Sequence, residues 1–545
     1  MTAAAKPPDP DSGNRSRAGS AESHAPSMSR LFVRKSIQDC EDDIRERGGL
    51  RRSLNKWHLT ALGVGATIGA GIFATTGTAI VGDPLRPGAG PAIVLSFLVT
   101  AITCGFAALC YAEFAAMVPI SGSAYTYAYA SLGELVAWII GWDLIIEYAV
   151  GNIGVAIGWA GYFRELLSHF GIALPAWLAT DFRSAHMAAQ AVASGASDPT
   201  STYLASALTT APHLFGLPVI GNLPAFLIVA LITVILVIGI RESANSNNAM
   251  VLLKIGVILF FCAVGLTLIK PHHWTDQALG GFAPNGWAGI SAGAAIIFFS
   301  YIGFDATSTA AEEAKDPARD MPFGIIMSLV VCTVLYIVLS LVMTGMAPWN
   351  KLGTAEPMIT ALALADGSPR LLNISRFIVS LGAVVAMSSV LLVFQLGQPR
   401  IFMSMARDGL LPPFLARVHP RFKTPYVGTI ITGTFVATFA AFANIAEVVD
   451  LTNIGTLFAF VLVSAGVIVL RRIEPNRVRP FRAPLVPFTP IISIVACLYL
   501  MLQLPTLTWI RFGIWLALGL LIYVFYGIRH SRVGGRLPQE NRRAG

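Results

Sequence analysis

Apolar runs, mostly about 20 residues long and separated by short polar stretches, recur from residue 58 to residue 528. They fall at 58–82, 91–118, 133–168, 222–240, 248–270, 287–313, 321–347, 375–405, 425–443, 447–471, 488–507 and 509–528. About 20 apolar residues in helical form cross the hydrocarbon core of a bilayer. The pattern therefore predicts an all-α membrane protein with about 12 transmembrane helices. The third and eighth runs are long enough to tilt or to project beyond the hydrocarbon.

Two of the runs are interrupted. Leu59–Val81 reads LTALGVGATIGAGIFATTGTAIV, with glycines at 63, 65, 69 and 71. Each glycine costs a helix about 1 kcal/mol relative to alanine. Either these glycines serve close helix packing, or they break the helix where its backbone lines a cavity. The sixth run, Ile290–Glu313, mixes a glycine, hydroxyls and a carboxylate into its centre, Ser300-Tyr301-Ile302-Gly303-Phe304-Asp305. A pair of interrupted spans at corresponding positions of two repeats points to the midplane site of a transporter. The chain then divides into a tail (1–57), a repeat of spans 1–5 (58–270), a repeat of spans 6–10 (271–472), and spans 11–12 with a second tail (473–545). An odd number of spans per repeat makes the two repeats inverted.

Broken helices also suggest what binds. The half-helix after a break presents free N–H groups and a positive dipole end. At Gly69, Ala70 and Gly71 these groups suit a carboxylate. Unwound carbonyls near Ile68, Phe299, Ser300 and Ile302 suit an ammonium. Together the two ends describe an α-amino acid.

Composition agrees with the class: 55% of residues are hydrophobic and 12% charged, against about 25% charged in soluble domains. No cleavable signal peptide is expected, because the N-terminus is polar and the first apolar run is long and late. The first 28 or so residues read as a disordered tail, and Ser36–Arg47 as a short surface helix. Six scattered cysteines without CxxC or metal spacing suggest neither a disulfide framework nor a metal site, and nothing calls for a cofactor. The net charge of +8 lies in loops and tails and speaks to orientation rather than to nucleic acid. Basic residues gather in the N-terminal tail, at Arg241, and in the stretches 315–319, 400–423, 471–482 and 529–543. The connection 171–221 holds only Arg183. The positive-inside rule places both termini in the cytoplasm.

Charged residues within spans are functional candidates. Lys254 either snorkels to the membrane face or supplies a buried amine that releases and regains a proton during transport. Asp143 and Glu147 share a helical face at i, i+4. Glu147 either lines the substrate pocket or ties the third span to its neighbours. Asp305 either caps the second half-helix or contacts substrate. Glu113 is assigned to packing or to the cytoplasmic gate. Ser388 and Ser389 either offer hydroxyls near Lys254 or bond back to their own helix.

The runs GVGATIGAGIFATTG, FFSYIGFDATSTAAEEAKDPARDMPFGI and GQPRIFMSMARDGLLPPFLARVHPRFKTP resemble the amino acid–polyamine–organocation superfamily, and within it the cationic amino acid transporter family. The resemblance runs from about Arg51 to about Pro484. It implies a LeuT-like fold, a 5+5 inverted repeat with broken helices 1 and 6 plus two C-terminal helices, and proton-coupled amino acid uptake by alternating access. It matches Ile68–Gly71 and Phe299–Ile302 to backbone substrate contacts, Lys254 to a lysine standing in for sodium, and Glu147 to a third-span glutamate. Ala70 replaces a hydroxyl residue of some members. The span count resembles the bacterial branch, which implies a plasma-membrane protein.

The leading expectation is a proton-coupled importer whose partners are an amino acid, a proton and the bilayer. A cationic substrate is slightly favoured over a small neutral one. A sodium-coupled carrier or an exchanger is the alternative, and Lys254 disfavours a sodium ion beside it. A membrane sensor or enzyme is disfavoured, because the spans hold no nucleophile–base pair or metal-ligand cluster.

Overall fold

The computed structural model describes residues 33–35, 53–117, 123–194, 199–239 and 244–532. The expected N-terminal disorder, the surface helix at 36–47, Arg241 and the last tail residues lie outside them. Among the described residues, nine helices are long and apolar enough to cross a membrane. They are α1 (Lys56–Val81), α2 (Gly90–Met117), α3 (Glu134–Ser168), α5 (Asn248–Leu266), α6 (Gly286–Ala311), α7 (Pro317–Met346), α8 (Pro369–Arg407), α10 (Ile445–Ile473) and α12 (Thr506–His530). Three shorter apolar helices fill the remaining places: α4 (Leu223–Ile238), α9 (Tyr426–Phe442) and α11 (Phe488–Leu502). At 1.5 Å per residue the 16 residues of α4 reach about 24 Å, short of a hydrocarbon core of about 30 Å. Every apolar run has its helix. Among the described residues, β pairing is limited to two tiny antiparallel hairpins, Gly82–Asp83 with Arg86–Pro87 and His213–Leu214 with Leu217–Pro218, and one isolated bridge between Leu54 and Ala314.

Polar residues at the ends of the runs set the helix boundaries. Asn55 caps α1 by accepting from the N–H groups of Trp57 and His58 at 3.0 and 3.1 Å. Asn222 caps α4 through Ala225 N–H, and Asn444 caps α10 through Ala446 N–H. Each satisfies an N–H that the first helical turn leaves without a partner. The 39 residues of α8 begin at Pro369, earlier than the apolar run, because Ser368 caps there and proline fits the first turn.

The two described ends of the chain meet at one end of the bundle, the tail end. Glu134 N–H bonds to Val33 carbonyl, and Arg532 N–H bonds to Asp408 carbonyl. Lys35 pairs with Asp408 at 3.0 Å, and Tyr125 donates to the same carboxylate at 2.8 Å. Glu113 is buried there and accepts from Arg471 Nη2 at 2.6 Å and from Ala483 N–H at 2.7 Å. These bonds tie α2 to α10. At the far end, Arg86 makes a fork to Asp450 at 2.8 and 3.1 Å and also bonds Asp83. Arg164–Glu356, Arg376–Glu165 and Arg511–Glu447 pair there as well. Arg183, from a helix at Phe182–Ala193, reaches Glu447. That helix and Pro199–Thr210 form a small cap with its own apolar cluster around Ala176, Ala185, Ala207 and Ile220.

Candidate functional site

The helix of α1 stops at Thr67. Ile68 turns extended at φ −75° and ψ 98°, and winding resumes as a π turn over Gly71–Thr75. In α6 the helix runs to Ile297, tightens to a 3₁₀ turn over Phe298–Tyr301, and opens at Ile302 with ψ 130°. Gly303 then takes φ +120°, a conformation that side chains rarely adopt, before a second 3₁₀ segment at Asp305–Glu313. Both interruptions expected from the sequence are therefore real breaks in the backbone.

The two breaks touch. A Cβ on Gly71 would lie 2.3 Å from Ser300 Cα and 2.7 Å from Ser300 N. A Cβ on Gly303 would lie 2.8 Å from the Ala66 carbonyl group. Gly69 faces Val390 of α8, and the Ala70 methyl faces Gly158 of α3. Packing and breakage were posed as alternatives for these glycines. The same residues do both, since only a chain without side chains lets two unwound segments come this close. The missing side chain of Gly71 faces backbone, not open space.

Side chains satisfy part of the freed backbone. Tyr336 donates to Thr67 carbonyl at 3.1 Å, and Tyr162 to Phe73 carbonyl at 2.7 Å. Asn453 of α10 donates to Ala295 carbonyl at 2.8 Å. Thr75 and Thr76 hydroxyls bond back to Gly71 and Ile72 carbonyls. The backbone bonds formed outside regular helices include none from the N–H groups of Gly69, Ala70 or Gly71. Those three residues stand where winding resumes, and Gly71 lies against Ser300. The buried Ser300 hydroxyl has no hydrogen-bond partner among the described residues.

Lys254 is fully buried, and its ammonium donates to Gly65 carbonyl, one turn before the α1 break. Snorkelling is ruled out by that burial. Ser388 and Ser389 bond back to Val384 and Ala386 carbonyls, and Ser388 also accepts from Trp159. Both make the back-bonds of the local role.

Glu147 sits in a π turn of α3, Ile146–Val150, and is buried. It lies near Asp305 across the α6 break and near Thr456 of α10, whose hydroxyl has no hydrogen-bond partner among the described residues. Asp305 faces the N–H groups of Gly303, Asp305 and Ala306, the first at 3.2 Å, so it covers the start of the second half-helix as a cap does. One oxygen of each carboxyl, Glu147 Oε2 and Asp305 Oδ2, is buried without a hydrogen-bond partner among the described residues. Asp143 lies one turn away against Gly455, and its Oδ1 is also unpartnered. Around the carboxyls stand Tyr111 and Tyr148, whose hydroxyls are unpartnered, and Phe304 and Phe460, which pack on Tyr111 at 6.3 and 5.3 Å. Buried polar atoms are nearly always satisfied by protein or water, so this concentration of orphans marks a place where water or ligand completes the bonding. Sequence reading missed Tyr111, Tyr148 and Thr456. An apolar run with single hydroxyls carries no signal that separates a site residue from a packed one.

The pieces define a class: a multi-pass helical membrane protein with two apposed backbone breaks and buried charges beside them. The sequence profile of the amino acid permease family matches residues 54–526. The branched-chain amino acid permease BcaP of Bacillus subtilis (strain 168) is 44% identical over 504 residues, which is 92% of this chain and 99% of the relative. The methylthioribose transporter of the same organism is 42% identical over the same shares. Human cationic amino acid transporter 4 is 31% identical over 627 residues, 93% of this chain and 92% of the relative. The chain belongs to the amino acid permease family of membrane transporters; it is a carrier, not an enzyme.

Proposed function

We propose that the chain imports an α-amino acid together with a proton, by alternating access, through twelve spans arranged as two inverted five-helix repeats and two further helices. The observation that carries this is the apposition of the two breaks, with Lys254 buried against the carbonyl of Gly65 beside one of them. The N–H groups of Gly69, Ala70 and Gly71 take the substrate carboxylate. The carbonyls of Ile68, Phe299, Ser300 and Ile302 take its ammonium. Lys254 occupies the position from which a proton can replace a metal ion in holding α1 and α5 together. It can leave the Gly65 carbonyl only by losing or re-pairing its charge, so its protonation is linked to the geometry of the break. The meeting of residues 33–35 and 532 at one end of the bundle fits an even number of spans. The basic loops place that end in the cytoplasm, and the arginine–carboxylate pairs of the far end neutralise the charge left there. The membrane is a bacterial plasma membrane.

For the substrate side chain, the pair Glu147 and Asp305 favours a cationic group, because among the described residues each carries an oxygen without a hydrogen-bond partner. A second reading is a neutral branched-chain amino acid, favoured by the 44% identity to BcaP. There the two carboxyls hold each other through a proton, and the aromatic walls take the side chain. Reconstituted protein should accumulate labelled amino acid under an imposed inward proton gradient, without sodium. Accumulation that requires sodium and ignores pH rejects the coupling. A thermal-shift panel decides the side chain: a ligand at 100 times its Kd adds about 2.7 kcal/mol. Shifts with arginine or lysine alone support the first reading, and shifts with leucine, isoleucine or valine alone support the second.

A further inference from the structure

The cap at the far end carries a feature that neither folding nor transport explains. The hairpin His213–Leu214 with Leu217–Pro218 turns through Phe215 at φ +53° and Gly216 at φ +81°. Two successive left-handed residues make the turn that suits a two-residue hairpin, and such turns select asparagine, aspartate or glycine. A bulky aromatic in the left-handed region is strained. Packing does not compensate, since Phe215 is 98% exposed and Leu214 beside it is 61% exposed.

The surroundings say what covers them. Val219 N–H bonds to Pro212 carbonyl and Asn222 N–H to Ala441 carbonyl, so the hairpin is fastened at the ends of α4 and α9. From Asn222 the chain enters α4, whose Leu223, Leu227, Leu231 and Val234 form an exposed apolar stripe facing lipid. Phe442, at the end of α9, is also exposed and lies beside Gly221. Val219, exposed as well, joins this stripe to the hairpin. Two strand residues, Leu217 and Pro218, about 7 Å of extended chain, and the turn glycine separate Val219 from Phe215. Interfacial segments enter the headgroup region to about 5–10 Å. Exposed apolar residues thus follow one another along the chain from the tip, through Val219, to the outer stripe of α4. The same combination recurs at the tail end. Leu485 has φ +51°, is 79% exposed, and stands three residues before the exposed Phe488 that opens α11.

We propose that the Leu214–Phe215 tip inserts into the interfacial zone of the bilayer and anchors the cap to the membrane beside α4. An aromatic ring is suited to that zone, and the exposure that disfavours Phe215 in water is what the anchor requires.

The test uses the full chain in phosphatidylcholine liposomes. Phe215→Cys is made together with Cys40→Ser, the remaining cysteines being buried, and labelled with an environment-sensitive NBD fluorophore. A label at Leu227→Cys serves as the lipid-exposed reference. The expected result is blue-shifted emission at position 215, with quenching by headgroup-proximal doxyl lipids at least half that at position 227. Water-like emission that aqueous iodide quenches and doxyl lipids do not would overturn the proposal. So would a label shielded from both quenchers, which assigns the tip to a protein partner or a second copy. Phe215→Asn separates anchoring from folding. It suits the turn better and should leave the melting temperature in detergent unchanged or higher, whereas a fall means that the ring packs within the protein and refutes the anchor.

Discussion

Gly71→Ala is the sharpest perturbation of the proposed site, because the structure sets its size. The new Cβ would stand 2.3 Å from Ser300 Cα, so the α1 and α6 breaks must part by at least 3.0 − 2.3 = 0.7 Å to reach the 3.0 Å limit, and by 3.4 − 2.3 = 1.1 Å to restore ordinary contact at 3.4 Å. Overpacking costs about 1–3 kcal/mol when side chains can adjust. Here the obstruction is backbone, so the upper end applies. A displacement of about 1 Å at a site that depends on positioned groups costs on the order of 100-fold in rate. The variant should therefore melt lower in detergent and lose most of its uptake in proteoliposomes. Gly69→Ala provides the internal comparison. Its Cβ meets Val390 Cγ2 at 2.9 Å, a deficit of 3.4 − 2.9 = 0.5 Å, against a side chain. Val390→Ala removes both γ-methyls and leaves Val390 Cβ at 3.4 Å, so the double variant should recover most of the stability that Gly69→Ala loses. Ser300→Gly should not rescue Gly71→Ala, because Ser300 Cα and N remain. The two double-mutant cycles read melting temperature and uptake together. Wild-type melting and uptake in Gly71→Ala would falsify the contact between the breaks. Rescue by Ser300→Gly would show that the side chain, not the backbone, is the obstacle.

Lys254→Ala should abolish proton-driven accumulation while leaving substrate exchange across the membrane measurable; unchanged accumulation assigns the lysine a structural role alone. Glu113→Gln removes the buried partner of Arg471 and should destabilise by about 3 kcal/mol, the low end for a broken buried pair, since Arg471 is 26% exposed. Chemical denaturation or a thermal melt checks it, and a loss under about 1 kcal/mol means that the pair is solvent-screened. Arg86→Lys keeps the charge but loses the fork to Asp450 and the bonds to Asp83. It should open the far end, raising the reactivity of a single cysteine at Ala89 toward an aqueous maleimide, and unchanged reactivity denies the pair a latching role.

Spans, breaks and charged candidates were all legible in the chain, for physical reasons that act locally. A bilayer demands apolar length, and twelve apolar runs became the nine long and three shorter apolar helices. Glycine and polar residues inside a run weaken helix at once, so Gly69–Gly71 and Ser300–Asp305 announced the breaks. A lysine or glutamate in an apolar run is costly wherever it lands, so Lys254 and Glu147 stood out.

What a residue faces is decided between segments that lie far apart in sequence. The chain left open whether the α1 glycines pack or bind; contact between Gly71 and Ser300, 229 positions apart by number, made close packing the condition for the site. It left Lys254 free to snorkel, and the carbonyl of Gly65 holds it inside. Glu147 and Asp305 were separate candidates until α3 and α6 brought them together. Hydropathy records how favourably each residue sits in lipid or water. Direction, partner and distance arise only when helices cross.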